Sequence, residues 1–156
     1  MSATDLIQIL MAFFGTLGFS MYFNVRGMRV LMNAAGGLLG WAFYLLVYKK
    51  TGSLFYGYFL TALFVTAGCE VLARLTHTPT TLMIVPMLFP EIPGGDLYNM
   101  AANLFSGDMN GFAAYAMRLG IEIGAMNLGI VLTTTFVGLL YYKSVWQWRS
   151  GQQPRV

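Results

Sequence analysis

The residues with the sharpest chemistry lie between Pro86 and Tyr98, in the run Pro-Met-Leu-Phe-Pro-Glu-Ile-Pro-Gly-Gly-Asp-Leu-Tyr. Pro86, Pro90 and Pro93 remove backbone donors and disfavour helix in the residues before them. Gly94-Gly95 permits positive φ or a close approach of backbone to a ligand. A helix starting at Asp96 then presents free N–H groups and the positive end of its dipole, the geometry with which broken helices hold substrate carboxylates in transporters. The other reading is a surface loop between two passes, with Asp96 only capping. Arg118 and Glu122, spaced i,i+4, share a helix face and can pair. They read either as a gate with a carboxylate-binding Arg or as an interfacial ion pair. Glu70 and Arg74 repeat the spacing and read as a proton acceptor or an anchoring bridge. His77 sits in a Thr-rich turn and reads as a solvated loop residue, while Cys69 reads as a small buried hydrophobe. No His/Cys/Asp/Glu set has metal-ligand spacing, so neither a metal nor another cofactor is expected.

The elements that must position these groups follow from composition. The chain has 156 residues, 57% apolar, 15% aromatic and 10% charged, with mean hydropathy +0.63. Soluble domains carry about 25% charged residues, so an ordinary soluble enzyme, a disordered chain and a nucleic-acid binder are excluded. An all-α integral membrane protein is predicted. A bilayer core of ~30 Å needs about 20 helical residues, and apolar runs of that length occupy 6–23, 28–48, 54–75 and 111–142. A fourth, short pass over 79–93, broken by Pro and Gly, completes about five transmembrane helices. Thr78-Pro79 is read as its N-cap and first helical residue, and Ser53 and Asp108 or Asn110 as caps of the third and last spans. Leu97, Met100, Ala101, Leu104 and Phe105 fall on one face of an amphipathic helix over 96–106. Residues 1–143 thus form one membrane domain and 144–156 a cytoplasmic tail. The first run lacks a basic n-region and a small-residue cleavage site, and is read as a span rather than a signal peptide.

Basic residues give the orientation. With five passes and the N-terminus outside, Arg26, Arg29, Arg74, Lys143, Arg149 and Arg155 face the cytoplasm and Lys49 and Lys50 face out. Glu91, Asp96 and Asp108 then fall on the outer side, and the C-terminus is cytoplasmic.

Gly36-xxx-Gly40 and Gly120-xxx-Gly124 are expected to let helices approach closely, and Asn33 and Asn127 to hydrogen-bond between helices. The eleven Met residues are read as packing filler, and Trp41, Tyr48, Tyr142, Trp146 and Trp148 as an interfacial belt.

The run from Ile84-Val85-Pro86 to Pro93-Gly94-Gly95-Asp96-Leu97-Tyr98, followed by Ser106-Gly107-Asp108, resembles the C-terminal membrane domain of threonine/serine exporters (ThrE-type), and most closely its small stand-alone, YjjB-like branch. Phe23-Asn24-Val25-Arg26 and Gly36-Gly37 with Gly40-Trp41 add to the likeness, which covers the chain from about the first span to the last. The resemblance implies a multi-pass protein of the bacterial inner membrane exporting a small polar metabolite, with threonine or serine the family's substrates and succinate associated with the stand-alone branch. It also implies a larger YjjP-like membrane subunit supplying the other five-helix half, and secondary transport without ATP. By residue match it marks Pro86, Pro90, Pro93, Gly94, Gly95 and Tyr98 as the substrate path, beside which Glu91, Asp96, Arg118 and Glu122 stand. Glu91 occupies a place where the family usually has Leu or Gly, which counts against an anionic substrate there. Assembly with copies of itself and a non-transporting scaffold that stabilises a partner are the alternatives. A membrane enzyme is disfavoured, since no nucleophile–base pair is visible.

Overall fold

The computed structural model describes residues 2–150, with side chains described for 2–140. It is all-helical over those residues: α1 (Ala3–Tyr22), α2 (Met28–Thr51), α3 (Leu54–Leu75), α4 (Thr81–Leu88), a 3₁₀ turn (Phe89–Glu91), α5 (Gly94–Ser106) and α6 (Met109–Ser150). Among the described residues, four helices are long and apolar enough to cross a membrane: α1, α2, α3 and the Met109–Leu140 part of α6. The expected tail, with Lys143, Trp146, Trp148, Arg149 and Arg155, lies outside the residues whose side chains are described, as does Tyr142.

Local chemistry sets the ends. Ser2 and Asp5 form a reciprocal capping box at the start of α1, and Asp5 also pairs with Lys49 in the last turn of α2. Gly52 adopts φ 65° beyond α2, a left-handed closure that glycine supplies without a Cβ penalty. Arg29 donates to the Thr76 carbonyl at 3.3 Å, placing the start of α2 beside the end of α3. Asp108 Oδ1 accepts from the Gly111 amide at 3.0 Å and caps α6. The start of α4 departs from the sequence reading: its N-cap is Thr80, without a side-chain bond, and Pro79 instead accepts from the Leu82 amide at 3.1 Å. Thr78 is not free to cap, because its hydroxyl donates to the Thr76 carbonyl at 3.1 Å.

Packing is strongest between α3 and α6, α1 and α2, α2 and α3, and α5 and α6. A buried cluster of Val65, Cys69, Ala73, Met83, Met87 and Leu88 seats α4 on α3. Asn33 of α2 is buried and its Nδ2 donates to the Leu82 carbonyl of α4 at 3.1 Å, the interhelical bond its sequence position predicts. Such bonds inside membrane bundles contribute about 0.6–1.7 kcal/mol, so Asn33→Ala is expected to lower the thermal midpoint in detergent. An unchanged midpoint would show that α4 is held by its apolar contacts alone. Asn127 makes no such bond: its Nδ2 donates to Ile123 of its own helix at 3.0 Å, because its face of α6 is exposed.

The small-residue contacts are divided. A Cβ on Gly36 would strike Met87 of α4, and one on Gly40 would meet Val65 Cγ2 at 2.7 Å and Glu91 Oε1 at 2.8 Å. At Gly120 and Gly124, by contrast, nothing lies within 4 Å. The close approach on α6 falls instead at Gly129, where a Cβ would sit 2.7 Å from the Phe59 carbonyl and 2.8 Å from Ala62 Cβ. Helix rotation decides which small residue meets the neighbour, and α3 selects the one further along.

At 42 residues, α6 is about 63 Å long at 1.5 Å per residue, roughly twice the ~30 Å hydrocarbon core. α5 runs back along its first part, tied by Asp96 to Arg118 and by Asn103 beside Gly111. No residue of α5 is buried.

Candidate functional site

Pro86 is accommodated inside α4, and Pro90 then falls in the 3₁₀ turn where the helix gives way. Ile92 is extended and Pro93 (φ −75°, ψ 60°) is the N-cap of α5. The helix begins at Gly94, two residues before the start that Asp96 suggests, and neither Gly94 nor Gly95 has positive φ. The reason is local: first-turn amides need no partner four residues back, so the two glycines enter the helix without losing a bond. Gly94 donates to the Ile92 carbonyl at 2.7 Å and Leu97 to the Pro93 carbonyl at 3.1 Å. The Gly95 and Asp96 amides between them have no hydrogen-bond partner among the described residues. They stand at the positive end of the helix, where an anion is favoured.

A cavity of about 320 Å³ opens onto this turn. Ile92, Pro93, Gly94, Gly95 and Asp96 form one side, Arg118 and Glu122 of α6 a second, and Trp41, Tyr44, Tyr48 and Tyr58, with Leu54, the rest. Arg118 does not pair with Glu122; its Nε meets Asp96 Oδ2 at 3.0 Å, because α5 folds back over that face of α6 and brings a carboxylate closer. Glu122 is left 2% exposed, and its Oε2 has no hydrogen-bond partner among the described residues. The aromatic wall is ordered by stacking, with Trp41 and Tyr44 centroids 5.1 Å apart and Tyr44 and Tyr58 4.9 Å apart. Ala125 of α6 packs against the two tyrosines and joins the three helices. Donors, an acceptor and π-faces thus converge on one volume large enough for a small polar solute.

Of the residues singled out in the sequence, Pro93, Gly94, Gly95, Asp96, Arg118 and Glu122 share this cavity. Pro86 is buried packing in α4. Pro90 lines a separate cleft of about 280 Å³ with Phe89, Gln8 and Trp41. Tyr98 points away, 72% exposed. Glu91, expected on the outer side, is turned into the bundle and 1% exposed, since the 3₁₀ turn lies along α2 rather than beyond it. The sequence reading missed Tyr44 and Tyr58 and placed Trp41 and Tyr48 in an interfacial belt. The signal was present in the spacing 41, 44, 48, which sets three aromatics on one face of α2. Glu70 and Arg74 form the expected i,i+4 bridge at 2.9 Å, and His77 is exposed.

The family model described as "Threonine/Serine exporter, ThrE" matches residues 8–136 of the chain. No curated protein and no solved structure matches it.

Proposed function

Because the chain belongs to the threonine/serine exporter family, we propose that its cavity is the substrate site of a secondary exporter and that the substrate is a zwitterionic amino acid. The carboxylate of threonine or serine would meet the free Gly95 and Asp96 amides and Arg118, and its ammonium group Glu122. The observation that carries this reading is the buried carboxylate of Glu122, one oxygen of which has no partner among the described residues, on the same cavity as the unpartnered Gly95 and Asp96 amides. A dicarboxylate such as succinate fits less well, since Asp96 and Glu122 would oppose its second charge.

The exporter is placed in the bacterial inner membrane, N-terminus out and C-terminus in. Arg29 and Arg74 lie at one end of the bundle and Lys49 and Lys50 at the other, in support of that orientation. A larger YjjP-like membrane subunit is the proposed partner. The open Gly120 and Gly124 face and the wholly unburied α5 support an additional helix surface there; a second copy of this chain would serve the same surface.

Gly95→Leu tests the site. A Cβ at Gly95 meets nothing within 4 Å, so the fold accommodates the change while a bulky group enters the cavity rim. Threonine efflux from cells is expected to fall about tenfold or more, the equivalent of 1.4 kcal/mol, at unchanged membrane abundance. Intact efflux would leave the chain a scaffold for its partner.

A further inference from the structure

A second carboxylate lies outside the cavity, in the middle of the bundle. Glu91 Oε1 and Val65 Cγ2 both crowd the position where Gly40 lacks a Cβ. Gly40 is thirteenth of the 24 residues of α2, and Val65 twelfth of the 22 of α3, so Glu91 stands at the half-way level of both helices. It is 1% exposed, and neither carboxylate oxygen has a hydrogen-bond partner among the described residues. An ionised carboxylate in that setting carries a desolvation cost of several kcal/mol, and ionisable groups at membrane mid-depth mark ion or proton pathways.

We propose that Glu91 is the proton-binding carboxylate that couples transport to the proton gradient, which rests on the exporter reading above. A carboxylate oxygen forms an O–H bond with a proton taken from water on one side of the membrane. The same bond breaks to water on the other side as substrate moves the opposite way. A proton fits the surroundings better than a metal or alkali cation. Val65 beside Glu91 offers no oxygen ligand, the cluster it belongs to is apolar and sulfur-bearing, and hard cations require several oxygens. No group of three or more His, Cys, Asp or Glu residues is placed to hold a metal among the described residues.

The neighbours leave Glu91 electrically isolated. The 3₁₀ turn packs on α1, α2 and α4. α4 carries no titratable residue; α1 carries Asp5, already paired with Lys49, and Tyr22 at its other end. On α2, Arg29 sits at one end and Tyr44, Tyr48, Lys49 and Lys50 toward the other. From α3 the Cys69 thiol is the titratable group within electrostatic reach. Coupling to substrate is mechanical: Glu91 is four residues before Gly95, and the turn that holds it leads directly into the α5 N-terminus. Charging the carboxylate favours its withdrawal from the apolar interior, and that movement displaces the amides facing the cavity.

The test uses inverted membrane vesicles from cells making the full chain, with vesicles lacking it as baseline and labelled threonine as probe. Glu91→Gln keeps the shape but binds no exchangeable proton. It is expected to retain threonine exchange without a gradient to within about twofold, and to lose pH-gradient-driven accumulation by about tenfold or more. Retained accumulation, equal loss of both activities, or accumulation sustained by a sodium gradient overturns the proposal. A second measurement needs no substrate: infrared titration of the purified full chain in nanodiscs. A protonated-carboxyl band that responds to pH and is missing in Glu91→Gln supports the proton site, and its absence in the wild type overturns it. Wild-type vesicles that exchange no threonine while the band titrates would sink the amino-acid reading and leave the proton site standing.

Discussion

Glu122→Gln lowers threonine efflux by about one to two orders of magnitude while membrane abundance stays the same. The expectation follows from the setting of the group. Glu122 is buried at the junction of α2, α3 and α6 and keeps an oxygen without a partner. A charge-assisted hydrogen bond to an ammonium there is worth about 1.5–3 kcal/mol, and each 1.4 kcal/mol is tenfold. The amide is isosteric, so Tyr44, Tyr58 and Ala125 retain their packing. Discrimination is expected to change with it: removing one negative charge from the cavity should ease the entry of dicarboxylates. Efflux of labelled threonine and succinate, normalised to immunoblot signal, reads both effects. Unaltered rates and selectivity would remove Glu122 from the substrate site.

The second large effect is structural. Gly129→Leu is expected to abolish accumulation of the folded chain, whereas Gly124→Leu, five residues earlier on the same helix, leaves it folded. At Gly129 the obstacles are the Phe59 carbonyl at 2.7 Å and the Leu63 amide nitrogen at 3.2 Å, backbone atoms that cannot rotate away. Overpacking in a filled core costs about 1–3 kcal/mol even for small additions, and a four-carbon side chain must push α3 and α6 apart. At Gly124 nothing lies within 4 Å. Fluorescence-detected size exclusion of the two variants separates the outcomes: equal monodisperse peaks would show that α6 does not depend on this contact. Gly129→Ala, with a single methyl to place, should give an intermediate thermal midpoint.

That contrast also shows what one sequence can and cannot reveal. The long helices were legible because an apolar run of about 20 residues is a local property, and the cap at Asp108 is local too. The proline–glycine segment was legible as a helix break for the same reason. Arg118's true partner was not, because spacing offers Glu122 while the fold-back of α5 supplies Asp96. Gly129 escaped notice because no spacing on α6 records which face α3 will take. Glu91 is set on the outer side by the orientation of the passes, which says nothing of which way its side chain turns; its burial depends on α2 presenting Gly40 at that level. The aromatic wall was hidden by membrane composition, where tyrosine and tryptophan near helix ends have a ready explanation at the lipid boundary. Pairing across helices is a property of rotation and register, and those are settled only when the bundle closes.

The unusual extent of α6 gives the bundle a lever. It comes close to α3 at Gly129, and Arg118 stands eleven residues away (129 minus 118), about 16 Å along a helix rising 1.5 Å per residue. Swinging α6 by about 10° around that fulcrum carries the guanidinium end through about 3 Å by the same rise per residue, comparable to the 3.0 Å separation of Arg118 and Asp96. Because α5 packs on that arm, such a swing would carry the Asp96 and Arg118 walls together past the tyrosines of α2 and α3. A slight tilt at one glycine would therefore be enough to widen or pinch the cavity without unwinding any helix.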